Sequence, residues 1–387
     1  MITDITIVGA GLAGLIASIK LAHIGFDVIC VDYKDKNIIK NDLRTTALLL
    51  PSINFLNECN IWEQIKSDTH ALNTMRIMDI SDAEKVNQVE FHAKEIGEEN
   101  FGYNIQNQVL YNTLNKHLKK FKNIKVITDD KFVNVKNRTD SAFVELKSGN
   151  KIRCKLLIGA DGKNSSVRDK LDIPTKTKNY NQKALAFKIE HQKAHLNVST
   201  EIYKSGGPFT IVPLADQNQS AVIWMDSTNS INHLLELDDD QFNNAITSRS
   251  GKCLGALRRI SDLTNWPIIN QYSKDIVQER CLLIAEAAHV LPPIGAQGLN
   301  MSIQDIKVLA SIVEGTDDPG SSELLKKYNN KRKNNSKLRM KLIDGLNLSS
   351  IADKVYAQKT RSMAIQLIAS SPKLKSALIK TGLGELS

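Results

Sequence analysis

Three stretches of this chain concentrate residues whose types and spacing could do chemistry. In "ITIVGAGLAGLIASI", Ile5 to Ile19, glycines stand at Gly9, Gly11 and Gly14, and Asp32 closes the next apolar run. In "GADGKNSSVRDKL", Asp161 and Gly162 precede Ser165, Ser166 and Arg168. In "LLIAEAAHVLPPIGAQGLN", Leu282 to Asn300, an apolar run meets Glu286, His289, two prolines and two glycines before a helical pattern resumes.

The first stretch fits G-x-G-x-x-G between a strand and a helix, the context in which that spacing binds a dinucleotide. Gly9 permits the tight turn, Gly11 lets backbone approach a pyrophosphate, and Gly14 allows close packing of helix on strand. The anion would meet the N–H groups and positive dipole end at Gly9, Gly11, Leu12, Ala13 and Gly14. Asp32 can accept hydrogen bonds from ribose hydroxyls and would repel a 2′-phosphate, which leaves FAD or NAD and disfavours NADP. A merely tight packing turn is the structural alternative, and it is weakened by the acid at the right distance.

Asp161-Gly162 alone would be an ordinary turn. It gains weight because a turn of the same kind follows a second apolar strand at Glu286. Pro292 and Pro293 fix φ and remove two N–H donors, while Gly295 and Gly298 permit geometry that a β-carbon would obstruct. Such a loop can lie flat against a planar ring, with the helix from about Gly298, Leu299 and Asn300 aiming free N–H groups at it. His289 invites a general-base role, since an unperturbed imidazole is the side chain suited to one near neutrality, but a packed, hydrogen-bonded histidine behind the turn is the preferred reading. His92, His191 and His195 show no ligand spacing and are assigned nothing.

These residues need elements to hold them. "DITIVGAGLAGLIASIKLAHIGFDVICVD" reads as a βαβ unit. A helix is expected over 45–59, alternating strands at "TMRIMDI" and "QVEFHA", a helix over 107–121, and strands at "IKVIT", "FVNVK", "AFVELKSG" and "KIRCKLLIGADG". From about Lys176 to Lys274 alternating runs predict an antiparallel sheet, with one helix over 239–248. After Gln278 the pattern returns to strand, special turn and long helices. The fold class is therefore α/β: a discontinuous Rossmann-like dinucleotide domain with an inserted mixed or antiparallel sheet domain and C-terminal helices. The expected bounds are 1–175 plus 278–345 for the first, including interleaved segments of the second near 73–105, then 176–277 for the sheet domain and 346–387 for the last helices.

In order, the glycine fingerprint, "GADGxxSxVR" and "AEAAHxxPPIGAQGLN" resemble the three fingerprints of the class A flavoprotein aromatic hydroxylases, over nearly the whole chain. The spacing and "PKLKSALIKTGLG" look most like the ubiquinone-biosynthesis hydroxylase branch. The resemblance implies FAD, with NAD(P)H as donor and O2 as co-substrate, and a flavin C4a-hydroperoxide that hydroxylates a phenol, polyprenylated in that branch. It places Asp161 and Gly162 at FAD and the nicotinamide donor, Arg168 in support of that loop, and Glu286 at the ribityl chain. The family usually has Gly-Asp where this chain has Ala285-Glu286. It also places Arg44 against flavin, Asn107 where relatives carry arginine or glutamine, Val133 at adenine, and Pro293 at the oxygen-transfer site through its backbone. A hydroxylase of soluble phenols, a flavin-dependent prenyl-chain reductase and a non-catalytic prenyl-binding escort are the rival readings.

Composition sets the outer limits. With 387 residues, 42% hydrophobic and 24% charged, the chain is long enough for two domains with ample cores and gives no case for disorder. The net charge of +9 is partly concentrated in "KKYNNKRKNNSKLRMK", Lys326 to Lys341, which contains no acid. A solvated helix face is the first reading and an anionic phospholipid surface the second, each Lys or Arg there contributing roughly 1 kcal/mol. Without interleaved aromatics the run does not suggest nucleic acid. Five scattered cysteines with no CxxC or Cys/His spacing suggest reduced, buried thiols and no metal site. The expectation is a cytoplasmic protein whose mixed apolar and basic C-terminal segments suit peripheral contact with the inner face of a membrane, or with other quinone-biosynthesis proteins.

Overall fold

The computed structural model describes residues 1–33, 42, 44–82, 85–352 and 354–383, with Val355 by its backbone alone. Gly384, the last residue of "PKLKSALIKTGLG", lies outside the described residues.

The N-terminal strand Ile2–Val8 pairs in parallel with Val28–Val31 on one side and Lys151–Gly159 on the other. Ile5, Thr6 and Ile7 are fully buried, as a strand covered on both faces requires. Ile124–Ile127 and Cys281–Leu283 extend the sheet in parallel at its two sides. An antiparallel extension, Ala142–Leu146 with Phe132–Asn137, and the short edge strand Val277–Gln278 complete eight strands. Register aligns the strand ends: Val8 lies opposite both Val31 and Gly159, and Gly159 lies opposite Leu283. The chain therefore leaves four neighbouring strands at one common edge, where ligands bind in open α/β sheets.

A nine-stranded sheet contains the long central strand Thr175–His191, flanked by Gln219–Ser227 and Thr264–Ser273. It is antiparallel except where Val198–Tyr203 runs parallel to Thr74–Asp79, so the sheet is mixed. Asn87–His92 joins its far edge, and His289–Val290 pairs at the other. Leu185, Phe187, Ile211 and Phe209 bury its core under the helices Thr228–Glu236 and Asp239–Arg249. The first of these helices is one that the hydrophobic pattern did not announce. Its start is set by Ser227, whose hydroxyl accepts from the Ser230 N–H.

The helix expected over 45–59 is corrected. Thr45–Leu49 is a strand of a small three-stranded sheet, paired with Gly102–Gln106, and the helix is Leu50–Glu58. The β-branched pair Thr45-Thr46 favours the strand, and Pro51 is tolerated only in the first turn of a helix.

Behind both large sheets run Gln297–Val313 and the 30-residue helix Ser322–Ile351, followed by helices over 355–370 and Pro372–Leu383. The lysine-rich run is not wholly a solvated face, because Tyr328, Arg332 and Met340 within it are buried. Cys30, Cys59, Cys154 and Cys281 are buried free thiols, and burial pushes Cys30 up to about 12.

Candidate functional site

At the common edge the first turn is built by exclusion. Gly9 has φ +108°, and a Cβ there would stand 2.3 Å from the Ala160 carbonyl oxygen. A Cβ on Gly14 would fall 1.8 Å from the Gly9 oxygen. Both glycines are therefore imposed by packing within the chain. At Gly11 a Cβ would meet nothing within 4 Å. Gly11 caps the helix Leu12–His23 with extended backbone and no side-chain hydrogen bond, and no acid occupies the first turn. The first N–H groups of that helix thus have no side-chain cap. Asp32 leaves the neighbouring strand and its Oδ2 accepts from the Ala10 N–H at 2.6 Å, tying the acid to the glycine turn. The Asp32 carbonyl also accepts from the Asp130 N–H, which brings the segment carrying Val133 to this end of the sheet.

The second turn follows Gly159. Asp161 Oδ2 accepts from the Ser166 N–H at 2.7 Å and the Val167 N–H at 3.1 Å, while Asp161 Oδ1 is buried without a partner among the described residues. Gly162 has φ +81°, and a Cβ there would lie 3.9 Å from Glu286 Oε2. The second and third turns are thus neighbours. Arg168 is buried and donates to the Ala287 and Lys163 carbonyls at 3.1 and 2.9 Å. It brackets these two turns and acts on the site through them.

The third turn exposes one residue of a buried run: Glu286 faces out, while Ala285, Ala287 and Ala288 are inside. Ala285 takes φ +55°, a conformation that costs a residue with a Cβ roughly 1–2 kcal/mol. Its N–H donates to Asp305 Oδ2 at 3.0 Å. The same oxygen accepts from His289 Nε2 at 2.8 Å, and Oδ1 accepts from Arg332 Nε at 2.7 Å. Burial alone would raise the Asp305 carboxyl, but the charges of Arg332 and His289 hold it down at about 2. His289 is accordingly a packed, hydrogen-bonded group behind the turn.

From Leu291 the chain forms a tight loop, with the Ile294 N–H donating to the Pro292 carbonyl at 2.8 Å. Gly295 and Ala296 both have left-handed backbones, at φ +62° and +56°. The helix begins at Gln297 rather than Gly298, and Ala296 caps it without a side-chain bond. The expectation for Gly298 needs correction. Its φ is not left-handed and a Cβ would meet nothing within 4 Å, so no chain atom demands glycine there. Asn300 points inward: Oδ1 accepts from the Leu49 N–H at 3.0 Å and Nδ2 donates to the Ala47 carbonyl at 2.8 Å. Leu299 packs against the main core. Pro293 is half-buried between Pro292 and Ile294, which are buried.

A fourth group closes the cleft. Arg44 donates through Nε and Nη2 to the two oxygens of Asp42 at 2.8 and 2.7 Å, and its guanidinium lies 5.6 Å over the Trp266 ring. Asn107 Nδ2 donates to Asp42 at 3.2 Å, and its Oδ1 accepts from the Thr46 hydroxyl at 2.6 Å. Burial opposes ionisation of Asp42, but the Arg44 hydrogen bonds outweigh it and hold its carboxyl below the usual range. The hydrogen bonds to Asp42, with the more distant charge of Glu286, raise Arg44. Arg44 and Asn107 thus meet through Asp42. That aspartate, Asp305, Arg332 and Trp266 could not be picked out from the sequence, because none belongs to a local motif.

Two observations fit a dinucleotide lying along this edge. Gly11 and Gly298 leave clear the space that a Cβ would fill, and Asp161 Oδ1 is an acceptor sealed from water with no partner among the described residues. Among the described residues no cluster could hold a metal ion.

Fold and site together define a nucleotide-binding flavoprotein built on a Rossmann-type sheet. The family model described as "FAD binding domain" matches residues 2–341, and the chain belongs to that family. It is similar to "Ubiquinone hydroxylase UbiL" of Rhodospirillum rubrum, 25% identical over 392 residues that cover 100% of this chain and 90% of that protein. It is also similar to the "3-demethoxyubiquinol 3-hydroxylase" of Escherichia coli, 24% identical over 339 residues, 85% of each. Among solved structures, p-nitrophenol 4-monooxygenase PnpA of Pseudomonas putida superposes with a TM-score of 0.81 at 15% identity, covering 99% of this chain and 98% of that one. PqsL of Pseudomonas aeruginosa gives 0.80 at 16% identity, over 95% and 100% of the two chains. These superpositions establish the shared fold.

Proposed function

We propose that this chain is an FAD-dependent monooxygenase that hydroxylates an aromatic ring, its substrate a polyprenylated phenol of ubiquinone biosynthesis. The observation that carries the reading is the meeting of the glycine turn, the Asp161-Gly162 turn and the Glu286 turn at one sheet edge, with Arg168 beside the second hydrogen-bonded to Ala287 in the third. The names of the curated relatives support the substrate class.

When bound, FAD accepts electrons from a reduced donor, here NAD(P)H, and activates dioxygen. The chain's own residues bind and orient it. The helix start at Gly11, Leu12 and Ala13 would take the pyrophosphate with Gly9 and Gly14 shaping the turn, Asp32 the adenosine ribose, and the segment at Val133 the adenine. Glu286 and Asp161 would take the polar chain between the two halves. Arg44 and Asn107, steadied by Asp42, would border the ring. Gly298, Leu299 and Asn300 would supply helix N–H groups where charge develops on reduction, and Pro293 would turn its backbone to the reacting face. Leu291 and Ile294 of that loop pack with Ala184, Met225 and Ile268 of the larger sheet, an apolar wall that excludes water and suits an aromatic ring.

A prenylated substrate resides in a membrane, and the C-terminal helices carry a matching surface. Leu338, Leu342 and Leu346 are exposed on one face at helical spacing, as are Met363 and Leu367 on the next helix and Leu374 and Leu378 on the last. Lysines are interspersed among them. No described helix is long and apolar enough to cross a membrane, so the contact proposed is peripheral.

The test is mass analysis of the product formed by purified protein with flavin, donor and oxygen. Gain of one oxygen atom supports the reading; gain of two hydrogens marks a prenyl reductase and overturns it. A colourless preparation that never retains flavin would favour an escort.

A further inference from the structure

A second cavity lies behind the Glu286 turn, between the strand Thr264–Ser273 and the helix Ser322–Ile351. Its volume is about 320 Å³, at the lower end for small-molecule sites. Ile276, Ala288 and Met340 supply apolar walls, and Lys274, Lys333 and Lys337 stand among its lining. Lys333 is paired with Asp275 at 2.7 Å, whereas Lys274 and Lys337 form no ion pair among the described residues. Tyr328 also lines the cavity, buried, with a hydroxyl that has no hydrogen-bond partner among the described residues. Burying a hydroxyl in that state is unfavourable. Burial also pushes this phenol well above its ordinary range, so it remains a neutral donor.

We propose that this cavity is a binding site for a phosphate monoester with a compact apolar body, the phosphate meeting Tyr328 and the lysines while the body packs on Ile276 and Met340. An unpartnered donor in the lining and exposed lysines beside it call for an acceptor-rich anion. The site is separate from the nucleotide edge, yet it shares a wall with it. Asp305, which holds the Ala285 N–H, lines the same cavity, so occupancy bears directly on the turn that carries Glu286.

Titration calorimetry of the flavin-loaded protein with phenyl phosphate tests the site, with benzyl alcohol as the neutral counterpart. Saturable binding of phenyl phosphate and none of benzyl alcohol is expected. Lys274→Glu with Lys337→Glu should weaken binding by about tenfold or more, and Tyr328→Phe by at least about threefold. The two lysines are surface residues, so that variant keeps its fold, and circular dichroism checks both. Equal binding of the two probes, or affinity unchanged in the lysine variant or in a folded Tyr328→Phe, overturns the proposal. Competition by phosphatidic-acid vesicles assigns a lipid headgroup as the source, and lack of competition a soluble ester; either outcome upholds the site.

Discussion

The N–H of Ala285 donates to the carboxylate of Asp305, 20 residues further along, at 3.0 Å. That bond fixes alanine in a left-handed conformation that favours glycine, and it is how this chain keeps its acid at the strand end. Ala285→Gly should therefore relieve strain without moving Glu286. A stability gain of about 0.5–1 kcal/mol is expected in urea unfolding, with flavin affinity unchanged.

Asp305 also neutralises buried Arg332. Asp305→Asn leaves that cation uncompensated and should cost about 3–5 kcal/mol, read from the shift in denaturation midpoint.

The same group sets an acid limit. Its folded value of about 2 lies below the ordinary 3.8, so its stabilisation is complete above about pH 4 and drains away as pH falls through about 2. Plots of unfolding free energy against pH should slope down over that window in the natural protein, and the Asp305→Asn variant should lack this component.

Gly11 and Gly14 separate two roles. Gly14→Ala drives a Cβ into the Gly9 carbonyl and should prevent folding, visible as loss of soluble protein. The Cβ of Gly11→Val meets none of the described atoms within 4 Å. That variant should fold, keep its melting temperature without cofactor, and lose flavin affinity by about tenfold or more in absorbance titrations.

Leu342 and Leu346 are 44% and 47% exposed. Changing both to Glu should leave melting unaffected and abolish sedimentation with anionic vesicles, since each buried leucine contributes about 1.5–3 kcal/mol. Unchanged vesicle binding would remove this face from the membrane assignment.

What could be read from the residues alone divides along a physical line. Gly9, Gly14, Asp161 and Glu286 were legible because sterics and strand ends act locally and leave a pattern within a few positions. The strand Thr45–Leu49 was hidden because its apolar run suits either a buried strand or a helix, and Gly102–Gln106, its partner, decides. Arg332 sat in a run whose composition reads as solvated; only the carboxylate of Asp305, 27 positions away in sequence, draws it inside. Asp42 was silent for the same reason, since Asn107 lies 65 residues beyond it. The inward turn of Asn300 also depends on a strand that the local pattern did not reveal.

Asn300 grips the backbone at Leu49 across 251 positions. Closing so long a loop costs entropy that only late, cooperative assembly repays. A ribosome-bound chain that has emerged only as far as the glycine turn would carry half a cradle, and an isolated N-terminal fragment should show little appetite for flavin however well its first strands fold.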